Sequence, residues 1–279
     1  MNDSPKKEPP VPRPATTVLL VRPSKAGDAD SILEVFMVVR HQSIDAFSGA
    51  LVFPGGKLED SDGNPQLKAR CGGADRISAG ELKFRVAGVR EAFEECGILL
   101  ARKRGQRALV AAADLKGLEQ KWRAKLVKNE ATMVDFVEGE DLELATDLMM
   151  PYAHWITPTF APKRFDTWFF IAEAPEDQVA LHDGSESVDS VWIRAQDAID
   201  EAKAGKRTLV HATTKNLELL AEGGTVTGAL SQASERTIVT VQPWVEVRDG
   251  KRFLHIPEGA GYKNLFRELP PQPVPQAGR

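Results

Sequence analysis

The stretch Val86–Lys103, VAGVREAFEECGILLARK, decides the fold of this 279-residue chain. At about 100° per residue, apolar positions that step by three and four fall on one stripe of a helix; they are Val86, Val89, Phe93, Cys96 and Leu100. Glu91, Glu94 and Glu95 fall roughly on the opposite side. We therefore expect a helix from about Leu82 to Lys103 that is buried along its stripe and carries three acids on a shared face.

Three carboxylates so close together repel one another unless positive charge lies over them. A divalent cation would remove this repulsion, and carboxylate oxygens are the ligands that Mg²⁺ and Mn²⁺ prefer. Arg90 reaches the same face and could hold one carboxylate by a two-pronged hydrogen bond. The alternative is an ordinary solvated acidic face, but Phe53-Pro54-Gly55-Gly56 upstream and Gly97 downstream favour a site.

These residues resemble the sequence box of the Nudix hydrolases. The second half of the box fits at every fixed position from Arg90 to Ile98. The first half is interrupted, because 33 residues separate Gly56 from Arg90 where the uninterrupted box has 13. The first Glu of the box falls on Leu82, with Glu81 beside it and Glu59 before the insertion, so this Glu has no assigned counterpart. The insertion, about residues 60–81, is rich in Gly and polar residues and predicts a surface loop.

A box split in this way is similar to the peroxisomal-type acyl-coenzyme A diphosphatase branch of the Nudix family. Further matching pieces are Gly49 before the Gly-Gly turn, Trp155-Ile156-Thr157-Pro158, Arg164-Phe165-Asp166-Thr167 and Asp183-Gly184-Ser185-Glu186. The resemblance implies an α/β fold, a Nudix-type α/β/α sandwich with a mixed sheet, in which the box forms a loop-helix-loop at one end. It also implies hydrolysis of the diphosphate of coenzyme A or acyl-coenzyme A, dependent on Mg²⁺ or Mn²⁺, to 3′,5′-ADP and (acyl-)4′-phosphopantetheine.

Two alternatives remain open on the sequence. One is a diphosphatase of the same class that acts on NADH, ADP-ribose or another nucleoside diphosphate derivative. The other is a non-catalytic Nudix-fold binding module, against which the complete set of box acids argues.

The resemblance also implies roles for individual residues. The metal ligands are Glu91, Glu94 and Glu95, and the catalytic residues are Glu94, Glu95 and Arg90. Our choice for a base or further ligand outside the helix is Glu186, with Glu138, Glu140 and Asp183 as competitors. The expected substrate contacts are Arg40, Gly55, Gly56 and Arg164. Stacking on adenine or lining of an acyl channel is a candidate role for Trp155, Phe160, Phe165 and Trp168.

The composition limits the function classes. Hydrophobic residues make up 42% and charged residues 27%, as in ordinary globular proteins. The net charge of −4 offers no basic surface for nucleic acid, and no run approaches the roughly 20 apolar residues of a membrane span. Two cysteines suit a reducing compartment, and the ends show neither a signal peptide nor a peroxisomal address. We expect a cytoplasmic enzyme for a small-molecule diphosphate, with a homodimer as a possible assembly.

The chain reads as one Nudix domain over residues 15–269, between a disordered lead (1–14) and a disordered tail (270–279). Within it we expect a helical insertion at about 105–150 and a C-terminal extension at about 208–269. The expected strands are 15–22, 33–40, 50–53, 153–156, 168–173 and 188–193, with a hairpin turning at Asp249-Gly250. The other expected helices are 114–128, 134–144, 195–204 and 213–221.

Overall fold

A computed structural model describes residues 8–28, 30–40, 49–180 and 187–271. Its strands are β1 (Arg13–Pro23), β2 (Leu33–Arg40), β3 (Leu51–Val52), β4 (Gly55–Lys57), β5 (Ala101–Lys103), β6 (Leu142–Leu144), β7 (Met150–Ile156), β8 (Phe165–Glu173), β9 (Ser187–Arg194), β10 (Thr240–Val241), β11 (Trp244–Arg248), β12 (Lys251–His255) and β13 (Phe266–Glu268). Its helices are α1 (Ala79–Cys96), α2 (Ala112–Leu118), α3 (Ala124–Val127), α4 (Met133–Gly139), α5 (Ala195–Lys203), α6 (His211–Gly223) and α7 (Val226–Glu235). A π-helical turn at Glu119–Arg123 joins α2 to α3.

A mixed eight-stranded sheet forms the centre of the fold. Strand β1 runs parallel to β8 over its residues 13–21, and β7 and β10 continue the sheet beyond β8. On its other side β1 pairs with β2 only over residues 21–23, whereas its residues 15–17 pair with β4. The rest of β2 pairs with β3 and β9. The sheet therefore splits between β1 and β2, and the turn that carries Gly55 and Gly56 lies in the opening.

The two faces of the sheet support separate hydrophobic cores. Successive side chains of a strand point to opposite faces, and β1 divides accordingly. Val18 and Leu20 pack with α1 and the helical insertion, whereas Leu19 and Val21 pack with the layer of α5, α6 and α7. This confirms the predicted α/β/α sandwich with a mixed sheet.

The central helix α1 is shorter at its C-terminal end than predicted. The Ser78 hydroxyl caps its first turn by accepting from the N–H of Glu81, and Gly97 ends it with a φ of +69°, a left-handed conformation that glycine adopts without strain. The predicted helical continuation to Lys103 is wrong, because residues 101–103 form β5 against β6. The predicted helix 134–144 likewise ends at Gly139, before β6.

The insertion in the box is a packed part of the domain and not the predicted surface loop. Two 3₁₀ turns, Asp60–Gly63 and Pro65–Arg70, fold it back onto α1. Leu67 is 1% exposed and Cys71 is buried beside it in the core around α1. An insertion that supplies buried side chains contributes to the hydrophobic core as well as to the surface.

The outer segments agree with the sequence analysis in part. The hairpin of β11 and β12 forms as predicted, and β13 adds a third strand to it. Helix α7 was not predicted. Strand β1 begins at Arg13, within the segment predicted as a disordered lead, and the carbonyl of Pro14 accepts a hydrogen bond from the N–H of Leu58. Most of the predicted tail, residues 272–279, lies outside the described residues.

Candidate active site

The Gly-Gly turn lies against the acidic face of α1 because neither residue carries a side chain. A Cβ on Gly56 would lie 2.5 Å from Oε1 of Glu91. Gly55 has a φ of +152°, and a Cβ there would lie 2.7 Å from Cα of Thr17. The Gly55 N–H donates to Oε2 of Glu95 over 2.9 Å. The turn therefore brings backbone directly onto two of the three predicted metal ligands.

Arg90 lies at the centre of the acidic cluster and is 3% exposed. Its Nε and Nη2 donate to the two carboxylate oxygens of Asp62, over 2.9 and 3.0 Å. Its Nη1 donates to Oε1 of Glu91 over 3.0 Å and to Oε2 of Glu94 over 3.1 Å. Burial alone would lower the pKa of Arg90, but Asp62, Glu91 and Glu94 together raise it above its ordinary value. Arg90 makes the predicted two-pronged bond, although with Asp62 and not with an acid of the helix.

Asp62 is the residue that the sequence analysis missed. Five residues separate it from Gly56, which is the spacing between Gly and Glu in the Nudix box, so an aspartate takes the place of the first Glu and the insertion follows it. The spacing of the box measured forward from Gly56 ends at Asp62, whereas the spacing measured backward from Arg90 ends at Leu82 because the insertion lies between them. Leu82 packs in the core, and Glu81 pairs with Arg85.

Two acids of the cluster have raised pKa values. Burial raises the pKa of Glu91 to about 8, against the opposing attraction of Arg90 and with a smaller repulsive contribution from Glu94. Burial raises the pKa of Glu94 to about 7, and Arg90 again opposes the shift. In the metal-free protein, burial therefore favours the protonated form of these two side chains near neutral pH, and a bound cation would favour their ionised form.

The donor set fits a hard divalent cation. All the available donors are carboxylate oxygens, and Oε1 of Glu94 is buried without a hydrogen-bond partner among the described residues. As the side chains stand, Arg90 and the Gly55 N–H take up other oxygens of the cluster. Within the described ranges, no group of three His, Cys, Asp or Glu side chains is placed as a complete metal site.

A cavity of about 1380 Å³ opens over the cluster. Glu91, Glu94 and Glu95 line part of it, and Arg40, which we expect to contact the substrate, also lines it. Its other walls are largely apolar and include Trp155, Phe160, Phe165, Phe169, Leu209 and Leu254. The shape suits a ligand with an anionic group at one end and an extended, less polar remainder.

Two predicted binding residues lie elsewhere. Arg164 is buried but is absent from the cavity wall, because its Nε and Nη1 donate to the backbone carbonyls of Thr157 and Pro10 over 3.0 and 2.9 Å. Its contacts hold two segments of chain together. Trp168 stacks on His154 with ring centroids 4.5 Å apart and does not line the cavity.

The base chosen outside the helix, Glu186, and its competitor Asp183 lie outside the described residues. The other two competitors, Glu138 and Glu140, do not line the cavity. Glu140 accepts from Lys121 and Trp122, whose hydrogen bonds lower its pKa. These contacts leave Glu140 without access to a bound ligand.

Comparison with solved structures shows the fold of the Nudix hydrolases. A NUDIX hydrolase from Alicyclobacillus acidocaldarius superposes with a TM-score of 0.65 and 23% identity, over 79% of this chain and 96% of the other. Residues 64–211, slightly more than half of the chain, match the model of the NUDT19 Nudix domain. The chain belongs to that family and is a Nudix hydrolase.

Curated relatives are similar at low identity. A putative nudix hydrolase 7 of Caenorhabditis elegans is 29% identical over 63% of this chain and 51% of its own length. The acyl-coenzyme A diphosphatase NUDT19 of Xenopus laevis is 24% identical over 62% of this chain and 56% of its own. The chain thus spans about half the length of these relatives. Nudix hydrolases use divalent metals and act on small-molecule diphosphates, and none of the helices described here is long and apolar enough to cross a membrane.

Proposed function

We propose that this protein hydrolyses the diphosphate of coenzyme A or acyl-coenzyme A to 3′,5′-ADP and (acyl-)4′-phosphopantetheine, with Mg²⁺ or Mn²⁺ as the metal. The observation that carries the proposal is the cluster of buried carboxylates under the Gly-Gly turn, three of which line a large cavity. The choice of substrate is supported by the similarity to the NUDT19 diphosphatase of Xenopus laevis.

Glu91, Glu94 and Glu95 would hold the ion. A bound divalent cation neutralises charge on the phosphate oxygens, which is the main requirement of phosphoryl transfer. Arg90 keeps two of these carboxylates in place through its Nη1, while Asp62 holds the other side of the guanidinium. The Gly55 N–H fixes Glu95. The absence of side chains at Gly55 and Gly56 lets the backbone of the turn pack directly against the acids, and both glycines line the cavity, where a phosphate of the substrate would bind.

Glu186 remains our choice as the base that takes a proton from the attacking water. It directly precedes Ser187, whose backbone pairs with that of Arg40 at the start of β9. Arg40 lines the cavity, so β9 begins beside a residue of the cavity wall, and this supports the choice of the residue that precedes Ser187 in the sequence. Arg40 itself would contact a phosphate of the substrate, since its Nε is buried without a partner among the described residues.

The test is a substitution on α1 with a matched control on the same helix. Glu94→Gln keeps the shape of the side chain but removes its charge, and we expect kcat to fall by about 10²-fold or more. Glu81→Gln makes the same change in an acid that pairs with Arg85 away from the cavity, and its kcat should stay near that of the wild type. Near-normal turnover of Glu94→Gln at saturating Mg²⁺ contradicts the assignment of the metal to this helix.

The substrate is tested by a panel of coenzyme A, short- and medium-chain acyl-coenzyme A, NADH and ADP-ribose, with product masses and either Mg²⁺ or Mn²⁺. Release of 3′,5′-ADP with the highest kcat/KM for the coenzyme A group supports the proposal. A higher kcat/KM for ADP-ribose or NADH rejects the proposed substrate and leaves only the reaction class. Gel filtration at assay concentrations decides whether the enzyme is the homodimer that we propose.

A further inference from the structure

The C-terminal extension contributes directly to the wall of the substrate cavity. Leu254 on β12 and Arg267 on β13 are opposite each other in the antiparallel ladder, so their side chains lie on the same face of this small sheet. Both residues line the cavity. The sheet of β11, β12 and β13 is therefore part of the binding site as well as an addition to the domain.

Arg267 has no anionic partner among the described residues. The guanidinium of Arg90, in the same cavity, is saturated by carboxylates, whereas Arg267 forms neither an ion pair nor a side-chain hydrogen bond within the described ranges. Desolvation lowers the pKa of Arg267 although the residue as a whole is exposed. An arginine on the cavity wall without a partner has its N–H donors available for an anionic group of a ligand.

The wall of the cavity extends well beyond the acidic cluster. One row of residues crosses the four neighbouring strands β4, β1, β8 and β7, and it consists of Lys57, Ala15, Thr167 and Trp155. Three distances between adjacent strands separate the ends of this row, which makes about 14 Å. At one end of the row, Lys57 directly follows Gly56. At the other end, the ring of Trp155 lies edge-on to the ring of His211, with ring centroids 5.9 Å apart. His211 and Arg267 both line the cavity, and burial lowers the pKa of His211 to about 4, with smaller contributions from the positive charges of Arg267 and Lys215.

We propose that Arg267 forms a second anion-binding subsite, which holds a charged group of the substrate apart from the diphosphate that is cleaved. The inference rests on the proposed function. Two groups of such a substrate have the required chemistry: the 3′-phosphate on the nucleotide half, and a carboxylate at the end of an acyl arm. Either would be held by a charge-assisted, two-pronged hydrogen bond from the guanidinium.

The experiment compares Arg267→Gln with the wild type on two matched substrate pairs. Coenzyme A and dephospho-coenzyme A differ only in the 3′-phosphate, and glutaryl- and valeryl-coenzyme A differ only in a terminal carboxylate. Binding is measured by calorimetry in EDTA, without turnover, and kcat/KM is measured with Mg²⁺. Arg248→Gln is the control, because Arg248 lies on the same small sheet, is paired with Glu246 and does not line the cavity.

We expect the wild type and Arg248→Gln to prefer the charged member of one pair by about 10-fold, as for one charge-assisted hydrogen bond. In Arg267→Gln this preference should fall to within about twofold, and Arg267→Lys should restore part of it. The pair that responds identifies the source of the anion. Thermal unfolding establishes that each variant is folded.

The subsite is overturned by preferences that stay unchanged in Arg267→Gln, or by an equal loss for every substrate. These results are separable from failure of the proposed function. If coenzyme A is hydrolysed and the preference does not depend on Arg267, the function stands and the subsite falls. If nothing is hydrolysed but the preference in EDTA is lost in Arg267→Gln, the subsite stands and the function falls. Absence of binding by the wild type in both pairs rejects the subsite.

Discussion

Replacement of Asp62 by Asn tests whether this buried aspartate supports the acidic cluster. The side chain of Asp62 is completely buried, and both of its oxygens accept from Arg90. Asn keeps the shape but loses the charge, and it turns an amide N–H₂ toward one of the guanidinium donors. Removal of one partner from a buried ion pair costs about 3–5 kcal/mol.

We expect the lower end of this range, about 3 kcal/mol, because Arg90 keeps Glu91 and Glu94 as partners. For a domain of this size that loss lowers Tm by about 6–12 °C. The free energy of unfolding is measured by denaturant titration at pH 7. We also expect kcat to fall by about 10-fold or more, because Arg90 orients two of the metal-binding carboxylates.

Asp141→Asn provides the matched control. Asp141 also accepts from an arginine, since Nη1 of Arg70 lies 2.7 Å from its Oδ1, but its side chain is 69% exposed. An exposed pair of this kind contributes about 0–1 kcal/mol. If Asp62→Asn is no less stable than Asp141→Asn and retains full kcat, Asp62 does not support the cluster.

Three further predictions concern the pH dependence of stability, the Gly-Gly turn and the proposed base. Because the folded-state pKa values of Glu91 and Glu94 are raised to about 8 and 7, the metal-free protein should lose stability as pH rises from 5 to 8.5. Mg²⁺ should then raise Tm more at pH 8.5 than at pH 6, and equal increases measured by calorimetry would contradict this. Gly56→Ala should lower kcat by about 10-fold or more, since its Cβ would meet Glu91, and an unchanged rate would show that the turn can shift. Glu186→Gln should lower kcat with little effect on KM, and an unaltered kcat would remove Glu186 from the reaction.

The local part of the site is readable from the sequence. Helix α1, its acids and the Gly-Gly turn depend on residues within a few positions of one another, so helical periodicity and motif spacing identify them. Strands β1 and β2 were predicted in the same way from their apolar and β-branched composition. The end of α1 was missed, although Gly97 is a standard signal for a helix C-terminus.

The tertiary part of the site is not readable in this way. The spacing from Gly56 identifies Asp62, but its contact with Arg90, 28 positions later, depends on how the segment between them folds onto α1. Arginine is a common phosphate ligand, but the guanidinium of Arg164 donates its hydrogen bonds to backbone carbonyls that only the fold brings close. Arg267 is separated from α1 by most of the chain and reaches the cavity through the pairing of β13 with β12. Local patterns carry no information on such partners.

The pairing of β1 with β8 has a consequence for how the protein folds. These strands lie about 150 residues apart in sequence and are joined residue by residue along the centre of the sheet. A ribosome that adds about 5–20 residues per second completes β8 many seconds after β1 has emerged. During that interval β1 presents an unpaired apolar edge, and loop closure over so long a chain is slow. Assembly of this sheet is therefore a late, non-local event, and the nascent chain is exposed to aggregation until β8 arrives.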